Sequence, residues 1–207
     1  MNKPLILTRN LFMGLLLTSF IACNSSSTEK ETDAHDHDHM VMSDSTTKTD
    51  VKGPVSIQQS AVAELKGTYE DTTVSGSAKF TTESDGRVKM ILNIEVPSKA
   101  NKSVAVHIHE NGECGDHGNA AGGHWNPTNE QHGKWGDAHF HRGDIGNVKL
   151  DANGKGTLEL TTDLWQLGGD ETRNILGRSI IVHGGVDDFV SQPSGNAGTR
   201  IGCGVIK

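Results

Sequence analysis

From about residue 57 to the end of the chain, apolar residues come in short alternating stretches. At 88–96, Val88, Met90, Leu92, Ile94 and Val96 take every second position, so all five leave one face of an extended segment. Comparable patterning predicts strands at 61–68, 74–81, 104–109, 147–150, 157–161, 179–183 and 201–206. The run Asp151-Ala152-Asn153-Gly154-Lys155-Gly156 separates two of these as a turn-rich hairpin connection. No long 3.6-residue stripe is present and turn residues recur at short intervals. The fold class predicted is therefore all-β: an antiparallel sandwich or Greek-key barrel of about eight strands. A long glycine-rich loop interrupts it between Glu110 and Asp144, and ordered loops of that length commonly carry function.

The N-terminal part follows a different pattern. Residues 1–22 begin with Lys3 and Arg9 and continue into the apolar stretch 11–22, which has the length of a signal h-region and is short for a bilayer span. They predict an export signal. It ends at Ile21-Ala22-Cys23, ahead of Asn24-Ser25-Ser26-Ser27, which resembles the end of a bacterial lipoprotein signal, with Phe20 where a smaller aliphatic residue is usual. On that reading Cys23 carries the lipid and becomes the mature N-terminus; ordinary secretion with Cys23 unmodified is the other reading. Residues 23–56 are rich in Ser, Thr, Asp, Glu and Lys and nearly devoid of aliphatic side chains, the composition of a disordered tether. His35, His37 and His39 alternate with aspartates there, and act either as an accessory metal-capture tract or as part of a hydrophilic spacer. Residues 57–207 remain as one domain with a modest core.

Export sets the cysteine chemistry. With Cys23 assigned to lipid, Cys114 and Cys203 are left, and an oxidising compartment favours their joining as a disulfide over two buried thiols. Closing a loop of that length stabilises by about 4–5 kcal/mol in the chain-entropy model.

The candidate chemistry lies in a series of histidines: His107 and His109, then His124, His132 and His141, Asp144 close behind, and His183 much later. Imidazole is the commonest metal ligand, and six imidazoles with one carboxylate among glycines point to a metal centre. His107 and His109 are two apart on a strand, so both leave the same face. His132, His141 and Asp144 suit four-coordinate zinc once a further ligand joins them, and His124 stands between the two groups. His139 is a rival for the position of His141, which the three-residue spacing to Asp144 favours. No phosphate loop, nucleophile elbow or basic nucleic-acid patch is present.

Together with Gly112 to Asn126, the stretches His132-Gly133, His141-Arg142-Gly143-Asp144-Ile145-Gly146-Asn147, 177–183 and 195–206 resemble the copper/zinc superoxide dismutase family in its bacterial exported form, over about residues 60–207. The resemblance implies an immunoglobulin-like Greek-key barrel with a long metal-binding loop, holding one copper and one zinc. It implies copper on His107, His109, His124 and His183, and zinc on His124, His132, His141 and Asp144, with His124 bridging. It implies that Asp187 hydrogen-bonds His107 and His132, and that Arg200 faces the copper and guides the anionic substrate. The implied reaction is disproportionation of superoxide to dioxygen and hydrogen peroxide by alternation of copper(II) and copper(I), with His124 relaying a proton.

Charge complicates that picture. Removing residues 1–22, with two basic residues and no acid, takes the formal charge from −7 to −9, although the substrate is an anion. Steering must then be local, and the segment between His183 and Arg200 holds Asp187 and Asp188 but no lysine. Lys134 is the candidate substitute, with an ordinary solvated lysine as the alternative. Two other functions remain open. A non-catalytic copper/zinc carrier on the same fold needs no substrate-guiding arginine, and a copper-only enzyme needs no zinc ligands. A periplasmic or cell-surface location, lipid-anchored to a bacterial membrane, follows from the leader; monomer and homodimer both remain open.

Overall fold

The computed structural model describes residues 58–207. Its strands are β1 Ser60–Gly67, β2 Ser75–Thr82, β3 Val88–Glu95, β4 Ser103–His109, β5 Gly146–Lys149, β6 Lys155–Thr162, β7 Ser179–His183 and β8 Arg200–Val205. Each expected strand is present, with its ends displaced by two residues at most. All strand pairs are antiparallel, and the spatial order is β5-β4-β7-β8-β1-β2-β3-β6. The chain crosses from β3 to β4 and again from β6 to β7, which makes the Greek key. β5 and β6 lie at opposite ends of that order but are consecutive in sequence. Their turn is closed by Asp151 N–H donating to the Lys155 carbonyl at 2.8 Å, so the barrel is nearly shut. Among the described residues no helix is long and apolar enough to cross a membrane.

The period-2 pattern explains how the core is filled. Val88, Met90, Leu92 and Ile94 of β3 are buried, and the register sets Met90 opposite Phe80 and Leu92 opposite Ala78 on β2. Burying side chains of this size contributes about 1.5–3 kcal/mol each. Trp165, Leu167 and Ile175, from the β6–β7 connection, are fully buried in the same core.

β4 departs from simple amphipathicity, since nearly all of it is buried. Val104, Val106 and Ile108 face the barrel core, whereas His107 and His109 leave the opposite face and are covered by the loops 110–145 and 184–199. The histidine-bearing face thus lies outside the barrel yet away from water. The disulfide joins Cys114, in the first loop, to Cys203 of β8, with the Cα atoms 5.7 Å apart. Two elements were not expected from the sequence, the 3-10 turns Pro97–Lys99 and Asp116–Ala121, and the second bears on the site. Asp116 and His117 have φ near +50° there, a local geometry that propensity does not announce.

Candidate metal centre

β4 supplies His107 and His109, the end of β7 supplies His183, and an isolated bridge between His109 and His124 lays the loop residue beside them. One donor atom from each of these four buried histidines lies within 4.8 Å of the others. The outer nitrogen of each ring fixes its orientation. His109 Nδ1 contacts the Gly122 carbonyl at 3.0 Å, His183 Nδ1 the Gly198 carbonyl at 3.3 Å, and His107 Nε2 the Asp187 carboxylate at 2.8 Å. With these N–H groups donated outward, the inner nitrogens present lone pairs to a common point.

The second cluster comprises His124, His132, His141 and Asp144 within the same limit. Asp144 lies 2.8 Å from His124 Nδ1, 3.0 Å from His132 Nδ1 and 3.2 Å from His141 Nδ1. Tetrahedral bonds of zinc length put neighbouring donors ~3.3 Å apart, so the set has the spacing such an ion requires. Backbone N–H groups of Gly133 and His141 donate at 3.2 and 2.7 Å to Asp144 Oδ2, the carboxylate oxygen that faces His132. His124 belongs to both clusters: Nδ1 faces Asp144, and Nε2 faces the other group.

Four buried nitrogens, His107 Nδ1, His124 Nε2, His132 Nδ1 and His141 Nδ1, have no hydrogen-bond partner within the protein. A buried polar atom left in that condition costs about 1–3 kcal/mol, and here all four point into the two clusters. Nitrogen and carboxylate donors of this kind fit copper at the all-imidazole cluster and zinc at the mixed one.

Electrostatics favours the same reading. Burial, reinforced by the neighbouring His124, pushes the His109 imidazole down to about 2. Burial beside His107 takes His183 to about 3, and burial takes His124 to about 4 against the opposing pull of Asp144. All three rings are neutral at pH 7, with lone pairs available for metal. His132 behaves oppositely: burial disfavours its charge, but Asp144 and Asp187 hold it up to about 9. Burial likewise works against the Asp144 charge, yet its contacts with His124, His132 and His141 keep the carboxyl well below the usual range.

Asp187 joins the two clusters, accepting from His107 Nε2 at 2.8 Å and from His132 Nε2 at 2.9 Å. Asn147 fixes it by exchanging hydrogen bonds of 2.8 and 2.9 Å with the Asp187 backbone. Arg200 opens β8 and lines a cavity of about 450 Å³ together with His109, His124 and His183. Its guanidinium donates to the Gly118 carbonyl at 2.7 Å. Lys134, the candidate steering lysine, is exposed and is not among the residues lining that cavity. Glu110 and Glu130 line it instead.

His139 pairs with Glu130 at 2.7 Å on the surface, and His117 stacks on Tyr69 at 4.3 Å; neither enters a cluster. Gln192 was not anticipated. It clamps His132 from both sides, accepting from its N–H and donating to its carbonyl, both at 2.9 Å. A loop glutamine 60 positions away carries no sequence signal for that role. The expected export signal, Cys23, and His35, His37 and His39 of the tether lie outside the described residues.

A family model described as copper/zinc superoxide dismutase matches residues 74–206. The chain is 39% identical over 153 residues to the superoxide dismutase [Cu-Zn] of Yarrowia lipolytica, covering 70% of this chain and 96% of the relative. It is 38% identical over 152 residues to that of Saccharomyces cerevisiae, with the same coverage, and 36% identical over 173 residues to that of Paramecium bursaria Chlorella virus 1, covering 81% and 86%. Among solved structures, a crystal structure of the clock protein EA4 matches with a TM-score of 0.65 and 32% identity, over 73% of this chain and 95% of that one.

Proposed function

The chain belongs to the copper/zinc superoxide dismutase family, and from that premise we propose how its residues divide the work of an oxidoreductase that disproportionates superoxide to dioxygen and hydrogen peroxide. His107, His109, His124 and His183 hold copper; His124, His132, His141 and Asp144 hold zinc. What carries this assignment is the convergence of four orphaned buried nitrogens on two points that share His124. Copper bound there supplies one-electron exchange with superoxide, while zinc, without redox chemistry, supplies charge and fixed geometry. His124 Nε2, buried and turned toward the copper-side cluster, would serve as the atom that takes up a proton and passes it to the forming peroxide. Arg200 binds and orients the anion by its guanidinium, which the Gly118 carbonyl holds at the cavity wall. Asp187 keeps the His107 and His132 rings turned so that their Nδ1 atoms face the ions.

Superoxide consumption measured with copper and zinc supplied separately tests the assignment. Copper is expected to restore activity, zinc alone to give none, and metal analysis to find one of each per chain. No activity after copper loading would leave the non-catalytic carrier. His183→Ala is expected to lose copper selectively and Asp144→Ala to lose zinc.

The bacterial exported form is proposed from the leader: residues 1–22 direct export, and Cys23 carries a lipid that holds the enzyme on a membrane surface, periplasmic or at the cell exterior. The Ala22-Cys23-Asn24-Ser25 context supports it. Labelled fatty acid should enter the parent chain and not Cys23→Ala; equal labelling of both would refute the anchor.

A further inference from the structure

An aromatic column runs from the barrel core into the zinc-side loop. Phe80 of β2 meets Trp165 edge-on at 6.1 Å, Trp165 meets Trp135 at 5.2 Å, and Trp135 meets Phe140 at 5.1 Å. Trp165 is fully buried, whereas Trp135 and Phe140 are half-buried and belong to the loop that carries His132 and His141. The Trp165 indole N–H also donates to the Arg142 carbonyl at 2.9 Å, one residue beyond His141. Arg142 in turn donates to the Thr172 carbonyl at 2.6 Å, so the same β6–β7 connection grips it twice.

We propose that Trp165 and Trp135 are positioning residues that hold the zinc-side loop in its binding geometry before the metal arrives. The proposal rests on the assignment of His141 and Asp144 to zinc. Ordering a surface loop costs conformational entropy at every residue fixed, and a site formed only by its metal must meet that cost from the binding free energy. Here the aromatic contacts and the indole hydrogen bond meet it during folding, since offset and edge-on rings pack well beyond their simple area. The ligands then divide by what holds them. His132 is set by Gln192 and Asp187, while His141 is set by the Glu130 carbonyl on its Nε2 at 3.1 Å and, through the adjoining Arg142 backbone, by Trp165. The copper ligands His107, His109 and His183 are fixed by strands β4 and β7 and do not touch the column.

Two measurements on the full-length protein test this. Hydrogen exchange on the metal-free protein is expected to show residues 132–144 protected to nearly the same degree as with zinc, and Trp135→Ala is expected to abolish that protection until zinc is added. In competition with a chromogenic chelator, Trp135→Ala should raise the zinc dissociation constant about tenfold or more while copper stays within about twofold. Trp135→Phe should restore most of the affinity, and Trp165→Phe, which keeps a ring but removes the N–H, should fall between. Unprotected loop amides in the metal-free parent would overturn the proposal. So would zinc affinity unchanged in Trp135→Ala, or a loss shared equally by both metals. His141→Ala is the control: if it leaves zinc affinity intact, the ligand assignment itself is wrong; if it weakens zinc while Trp135→Ala does not, only the column fails.

Discussion

A buried imidazole can bind metal only where its lone pair is not already occupied by a proton, and the proton affinities here differ sharply within one site. His109, His183 and His124 are depressed from 6.5 to about 2, 3 and 4. At these three sites the folded metal-free chain therefore binds fewer protons than the unfolded one below pH 6.5, and the stability from the neutral rings, whole above that value, is lost as pH falls from 6.5 through about 4, 3 and 2. His132, raised to about 9, has the opposite sign: its contribution is whole below 6.5 and is lost as pH rises through 9. Calorimetry of metal-free protein should show a Tm maximum between about pH 6 and 7.5, falling on both sides. Zinc occupies His132 in place of the proton, so the alkaline fall should vanish in zinc-loaded protein; its persistence would remove His132 from the ligand set. The histidines and Asp144 were readable in sequence because their chemistry is their identity. Gln192 was not, because a neutral amide acquires its role only from the backbone it meets.

Among the elements, β4 shows how a two-residue period serves two purposes, with Val104, Val106 and Ile108 into the barrel and His107 and His109 away from it. Alternation was legible from the residue order alone. That the outer face is also buried was not, since its cover comes from loops distant in sequence. The loop 184–199 shows the same limit at Gly195, which has φ +65° and approaches the Asp187 carboxylate closely. A Cβ there would lie 1.8 Å from Asp187 Oδ1 and 2.6 Å from His132 Nε2. Gly195→Ala is thus expected to displace Asp187 and weaken metal binding by about 10- to 100-fold, read by chelator competition. Unchanged affinity would mean that Asp187 does not orient the two rings. The disulfide between the first loop and β8 spans 89 positions and contributes about 4–5 kcal/mol in the chain-entropy model, tying the Arg200 strand to the turn whose carbonyl holds it.

The sequence is acidic overall, and the cavity repeats that balance: its lining includes Glu110 and Glu130, with Arg200 as the single permanent cation. Superoxide capture is then opposed at long range and favoured only close to Arg200. Glu130→Gln keeps a hydrogen-bonding side chain and removes a charge, so kcat/KM should rise about two- to threefold at low ionic strength, with the gain disappearing in high salt. A gain that survives high salt would point to altered structure rather than altered field. The sequence by itself determined the strands, the antiparallel all-β class, the disulfide pair and the candidate ligands, because period-2 burial and donor chemistry are local properties of residue order. The tertiary structure supplied the contacts behind the roles that the resemblance implied for His124 and Asp187, and it alone decided that Gln192 clamps the His132 backbone, that Lys134 is not among the cavity's lining residues, and that Trp165 and Trp135 tie the zinc-side loop to the core. Those relations join residues from different strands and loops, and their distances are set by how the barrel closes and which loops its outer face can bury.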